Sequence, residues 1–182
     1  MPRLRQGIAP GALNVMSKLM LSIAAAALAS MAPVEAADAA LGPDAASCRA
    51  GSGQPAVLVN VSGFKSRSGR VRVQIYNSSN FLVKGQRVRR IDLPVTANSM
   101  PICVALPGPS TYAVAVRHDT DGDNKSGDWS DGGGFSRNPK LSLMKLKPSF
   151  GQVAIPVGNG VRPVDVVLNY RKGLSIGPVA KS

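Results

Sequence analysis

The feature that most restricts the fold is a series of short apolar runs with period two, each closed by a chain breaker. Val71, Val73 and Ile75 alternate with Arg70, Arg72 and Gln74, the pattern of a strand with one dry and one wet face. Val57, Val59 and Val61 repeat it around Leu58 and Asn60, and Ile91, Leu93 and Val95 form a weaker copy. Ile102, Val104 and Leu106 follow, then Tyr112, Val114 and Val116, then Val153, Ile155 and Val157, and finally Val164, Val166, Leu168 and Tyr170. Ser68-Gly69, Pro107-Gly108-Pro109, Gly132-Gly133-Gly134 and Gly158-Asn159-Gly160 punctuate them, as turn-forming residues do. No segment beyond residue 36 holds a helical period over ten residues or more. Six or seven short strands with regular breakers predict an all-β chain forming a single antiparallel β-sandwich, immunoglobulin-like in its Greek-key pattern. Gly108 to Tyr112 fits a sandwich corner in which the Tyr hydroxyl bonds backbone just upstream.

The N-terminal region has a different character. Lys18 precedes an Ala-rich apolar stretch, Leu19 to Ala32, ended by Pro33 and followed by Val34-Glu35-Ala36. That is the layout of an export signal cleaved after Ala36, with a retained membrane anchor as the alternative. Met16-Ser17-Lys18 makes a more ordinary signal start than Met1, so residues 1–15 read as an upstream extension. Residues 37–55 are small, polar and aperiodic and read as a linker, residues 56–172 as the sandwich, and 173–182 as a tail. Export places the mature chain in the periplasm or outside the cell, where its only two cysteines, Cys48 and Cys103, are expected to form one disulfide. A thiol metal or redox site is the competing reading, but neither Cys lies in a CxxC motif. No later run is long enough to span a bilayer.

Charge is distributed unevenly. Against 22 Lys and Arg the chain has only 10 acids, yet Asp119, Asp121, Asp123, Asp128 and Asp131 fall in one Gly-rich segment. Crowding carboxylates costs repulsion that an oxygen-binding cation relieves, and Ca²⁺ is the natural candidate. Asp119, Asp121 and Asp123 recur at every second position, like the opening of many Ca²⁺ loops. The EF-hand pattern then fails, since Asn124 stands where Gly is required and Ser130 where Glu is required. Asp128 or Asp131 would close the shell instead. The competing account is a polar loop whose Asp and Asn side chains cap their own backbone.

His118 is the only His, which excludes the multi-His sites usual for hydrolytic zinc. A small hydrolase using His118 and a loop carboxylate is conceivable, but neighbours on a strand face opposite ways, so Asp119 is poorly placed to orient it. His118 is expected to end its strand and hydrogen-bond locally. Trp129, the sole Trp, either stacks on a ligand such as a sugar face or lies as a lid over the sandwich edge. Basic clusters at Lys65–Arg72, Lys84–Arg90 and Lys140–Lys147 suit anionic envelope lipids or polymers. Nucleic acid is a poor match for an exported chain with so few aromatics to stack on bases.

Three pieces of sequence carry a resemblance: Tyr112-Ala113-Val114-Ala115-Val116-Arg117-His118-Asp119, then Gly134-Phe135-Ser136-Arg137-Asn138, then Pro148-Ser149-Phe150. In this order they resemble the domain of unknown function 2141 family, exported bacterial proteins without an assigned role. The resemblance covers roughly residues 56–170. It implies a sandwich similar to transthyretin-like or carboxypeptidase regulatory-like domains, and no activity. The chain departs from the family pattern in its loop, where Asp121 and Asp123 occupy the usual Asn positions and Asn124 the usual Gly. The expectation is an exported, non-catalytic envelope module with a Ca²⁺-ordered loop; glycan binding through Trp129 is the alternative besides hydrolysis.

Overall fold

A computed structural model describes residues 39–125 and 128–179, all inside one compact unit. The expected export signal lies outside the described residues. The described residues form ten strands: β1 (Ala56–Ser62), β2 (Arg70–Tyr76), β3 (Arg89–Pro94), β4 (Ser99–Ala105), β5 (Ser110–Asp119), β6 (Gly132–Phe135), β7 (Ala154–Val157), β8 (Val161–Val167), β9 (Asn169–Lys172) and β10 (Ser175–Gly177). A short α-helix, α1 (Phe150–Val153), precedes β7, and a single 3-10 turn spans Ala45–Cys48. Among the described residues no helix is long and apolar enough to cross a membrane.

Two sheets pack face to face. The smaller runs β4-β1-β8, and the larger runs β10-β9-β6-β5-β2-β3 with β7 also paired to β5. Every pairing is antiparallel except β1 with β8, which is parallel. The expected alternation builds the core: Val57, Val59 and Val61 face Val71, Val73 and Ile75 across the interior, with Ile102, Val104, Val114, Val116 and Val166 filling between them. Burying these branched side chains is worth about 1.5–3 kcal/mol each. Tyr112 donates its hydroxyl to Gly108 O at 2.8 Å, the corner expected from the sequence.

Two differences from the expected strand pattern have clear causes. Gly132-Gly133-Gly134 breaks no strand; it is the heart of β6. A Cβ on Gly132 would run into the Tyr170 ring, and one on Gly134 would meet Val167 O at 2.7 Å, so only glycine lets this strand lie against its neighbours. Val153 ends α1 rather than opening a strand, although it is fully buried like its predicted partners.

The outer face of the small sheet explains Leu58. Leu58 and Cys103 point away from the core and form a second apolar cluster with Cys48 and Ala56. The segment 40–52 covers them. Leu41 donates to Pro101 O at 2.7 Å and accepts from Cys103 N–H at 3.0 Å, extending the edge of β4. Asp44 accepts from Ala105 N–H at 3.0 Å and pairs with Arg89 of β3 at 2.6 Å, and Cys48 is disulfide-bonded to Cys103 across 55 residues. Residues 175–177, in the stretch set apart as a tail, add β10 to the larger sheet. In the chain-entropy account a crosslink of this span stabilises by about 4 kcal/mol. The C48A/C103A variant is therefore expected to keep its strand content by circular dichroism while its urea midpoint drops by a corresponding amount; an unchanged midpoint would show that the hydrogen bonds of Leu41 and Asp44 alone hold the arm.

Candidate functional site

The acidic loop leaves the sheet where β5 ends, and its position is fixed from below. His118 is fully buried, stacked edge-on against Phe64 and Tyr170 at centroid distances of 5.3 and 5.9 Å. Its Nε2 lies 2.8 Å from Ser68 O; a carbonyl can only accept, so Nε2 carries the proton. Nδ1, 2.7 Å from Tyr170 Oη, then accepts the phenolic proton, and Oη in turn accepts from Lys65 N–H at 3.1 Å. The chain of bonds is complete. His118 thus does not bond locally, as its place at a strand end suggested; its partners lie 50 and 52 residues away. Sealed from solvent with both nitrogens engaged, it offers no general base.

Asp119, one residue later, organises the loop. Its Oδ1 accepts from Gly122 N–H at 2.9 Å and its Oδ2 from Asn124 N–H at 3.0 Å. Arg117 pairs with the same Oδ2 at 3.0 Å. Burial pushes the Asp119 carboxyl up, but the hydrogen bond and charge of Arg117, with the two backbone donors, outweigh it and hold the group below the usual range. Below it, Gly69 packs so closely on the Asp119 carbonyl, at a φ of +73°, that a side chain has no room. Further along, Asp121 accepts from Asp123 N–H at 3.2 Å and Asp123 from Lys125 N–H at 2.7 Å. Arg72 reaches Asn124 Oδ1 at 3.1 Å, tying the loop to β2. The self-capping expected of a polar loop is therefore present at Asp119, Asp121 and Asp123.

The remaining carboxylates are less well satisfied. Asp131 accepts from Thr120 N–H at 3.3 Å through Oδ1. Among the described residues its buried Oδ2 has no hydrogen-bond donor, although Arg117 Nε lies 3.2 Å away. Burial raises the Asp131 carboxyl above its ordinary value, against the Thr120 and Arg117 contributions, and the charges of Asp119 and Asp128 push it further up. Two groups of acids bring one oxygen each within 4.8 Å of one another: Asp119, Asp121 and Asp123, and Asp121, Asp128 and Asp131. All five acids singled out in the sequence thus meet at one place, with Asp121 common to both groups. An all-oxygen donor set of this kind suits a hard cation.

Trp129 is 71% exposed. One face lies on the Arg171 guanidinium, whose Cζ is 3.4 Å from the ring centroid, so only its other face is free to stack on a ligand. Arg171, together with Leu141, Leu143 and Leu146, was not marked by any sequence motif; the lone clue was three Leu within six residues, interspersed with Lys145.

The shared motifs serve the fold. Ser136, fully buried, donates to Val153 O at 2.5 Å and accepts from Val114 N–H at 3.0 Å. Asn138 donates to Asp165 O at 3.0 Å and accepts from Val167 N–H at 2.8 Å, bracing β8. Phe150 stacks on Phe81 at 5.7 Å. A family model described as "Uncharacterized protein conserved in bacteria (DUF2141)" matches residues 59–165. Neither a curated protein nor a solved structure matches.

Tyr170 supplies a test of the buried chain. Burial lifts its hydroxyl to about 12, the Lys65 N–H opposing and the Asp131 charge adding to the effect. The unfolded chain loses that proton near 10 and the folded one near 12, so the stability contributed is complete below pH 10 and lost as pH rises through 12. Tyr170→Phe strands His118 Nδ1 and Lys65 N–H and is expected to cost about 1–3 kcal/mol at neutral pH. Thermal melts at pH 7 and pH 11 check both: the variant should lose less than the parent between the two.

Proposed function

We propose a function for a chain that belongs to the DUF2141 family of uncharacterised bacterial proteins: it is an exported, non-catalytic β-sandwich module of the cell envelope whose 119–131 loop is ordered by Ca²⁺. The observation that carries the cation is the convergence of Asp121, Asp128 and Asp131 oxygens within 4.8 Å, with Asp131 Oδ2 buried and undonated. A carboxylate in that state lowers its energy by binding a cation. Asp123 meets Asp121 only in the group it forms with Asp119. Asp119 belongs to the other acid group, but its oxygens are engaged by Arg117, Gly122 and Asn124, so its part is to shape the loop.

Export is supported by the apolar stretch after Lys18 and by the Cys48–Cys103 disulfide, a bond that persists in oxidising compartments. An anionic envelope surface is the partner this reading names. Arg70, Arg72 and Arg90 gather on the wet face of β2 and β3 around a single acid, Asp92, and Lys84 and Arg87 are exposed beside them. The excess of positive charge there attracts polyanions and lipid phosphates. Catalysis has no support in the geometry of His118, whose two nitrogens are occupied.

Calorimetric titration of Ca²⁺ into metal-stripped protein checks the loop. The expected affinity is that of extracellular modules, about 10⁻⁴–10⁻³ M, with a rise in melting temperature at millimolar Ca²⁺. Asp131→Asn should abolish the heat. Because Asp131 holds its proton above the ordinary range, cation and proton compete, and binding should weaken as pH falls through the carboxylate region. No heat and no thermal shift at neutral pH would retire the proposal.

A further inference from the structure

On the outer face of the larger sheet, beside the acidic loop, lies a cavity of about 350 Å³. Its apolar walls are Phe135, Leu141, Leu143, Leu146 and Ile176. Its floor lacks a side chain where β6 carries Gly133, so nothing fills the space from below. The three leucines sit on a hairpin closed by Lys145 N–H to Ser142 O at 2.9 Å and Ser142 N–H to Lys145 O at 3.3 Å. A space of this size, mostly apolar with a few convergent polar groups, has the character of a small-molecule site.

The polar group that decides the ligand is Arg171. Its guanidinium lies over the Trp129 ring, and among the described residues its buried Nε has no acceptor and it enters no ion pair. The other guanidinium at this cavity, Arg117, is already opposed by Asp119 and Asp131. The carboxylates of Asp128 and Asp131 also border the cavity; Asp131 is opposed by Arg117, and each brings an oxygen toward Asp121. An oriented, unanswered donor beside apolar walls is matched by a ligand with one anionic oxygen head and one apolar body. Exposed Lys140, Lys145 and Lys147 around the hairpin favour the same sign of charge.

We propose that this cavity binds a small anionic amphiphile, its carboxylate or phosphate held by Arg171 on the Trp129 platform and its apolar body lying against Leu141, Leu143, Leu146, Phe135 and Ile176. The proposal goes beyond the calcium reading and does not need it, so the test is run in chelator and repeated with Ca²⁺. Trp129 is the sole Trp, and its emission in the full chain reports the site directly. The probes are decanoate, decyl phosphate, decanol and acetate at submicellar concentration, with phosphatidylglycerol vesicles run alongside, and affinities are taken by calorimetry.

Decanoate or decyl phosphate is expected to bind saturably, and the tighter of the two identifies the source as a free carboxylate or a phosphate headgroup. Decanol and acetate should each bind much more weakly. Arg171→Gln should weaken the anions by roughly tenfold or more and leave decanol unchanged; Leu143→Asp should weaken every decyl probe with Arg171 intact. Melting temperatures confirm that each variant is folded. Decanol binding as tightly as decanoate, an unchanged affinity in the folded Arg171→Gln variant, or a response only to phosphatidylglycerol vesicles would overturn the proposal.

Discussion

The bond chain from Lys65 N–H through Tyr170 to His118 and on to Ser68 O is the constraint on which the functional end of the molecule depends. It joins β5, β9 and the β1–β2 connection beneath the loop. Since every polar atom in it is paired, the loss of water on burial is offset, and breaking any link strands another. Its consequence is positional. With His118 fixed inward, Asp119 is delivered at the mouth of the sheet with both oxygens aimed along its own loop. Gly132 is part of the same arrangement, because the Tyr170 ring occupies the place where its side chain would stand.

This changes what the recurring motifs mean. The His-Asp pair invites a catalytic reading, yet the His is a buried strut and the Asp a loop organiser. Ser136 and Asn138, also in these motifs, are likewise consumed by backbone partners on three other elements. Residues this constrained by folding say little about chemistry. The chemistry is to be sought where hydrogen bonding is incomplete: Asp131 Oδ2 and Arg171 Nε are both buried without a partner, and both border the same cavity.

Most of the architecture was legible because each sheet turns one apolar face to the shared core, and period-two alternation reports that directly. Val71, Val73 and Ile75 needed nothing more. Strand β6 was illegible for the opposite reason. Its glycines carry no hydrophobic signal, and the demand for them comes from Tyr170 and Val167, distant in sequence. The parallel pairing of β1 with β8 is a matter of topology, to which alternation is blind. Leu58 was visible as an apolar residue on the wrong face, but its cover comes from an arm with no period of its own. At the site, clustering of five aspartates in a basic chain was a compositional signal, whereas Arg171 and the leucines of the hairpin meet only in three dimensions.

Arg117 connects the two unsatisfied regions. It opposes Asp119 and Asp131 on the loop side and borders the cavity on the other. Its guanidinium also reaches the Lys125 carbonyl. Without a cation, the buried charge of Asp131 is compensated by the Thr120 N–H and by Arg117, which is shared with Asp119. A divalent ion at Asp121, Asp128 and Asp131 would take over part of that task and weaken the hold of Asp131 on Arg117. The guanidinium would then present more of its charge to the cavity, so that cation and anionic amphiphile would bind with positive coupling. Coupling of this origin is reciprocal and electrostatic, and it follows from two carboxylates sharing one arginine.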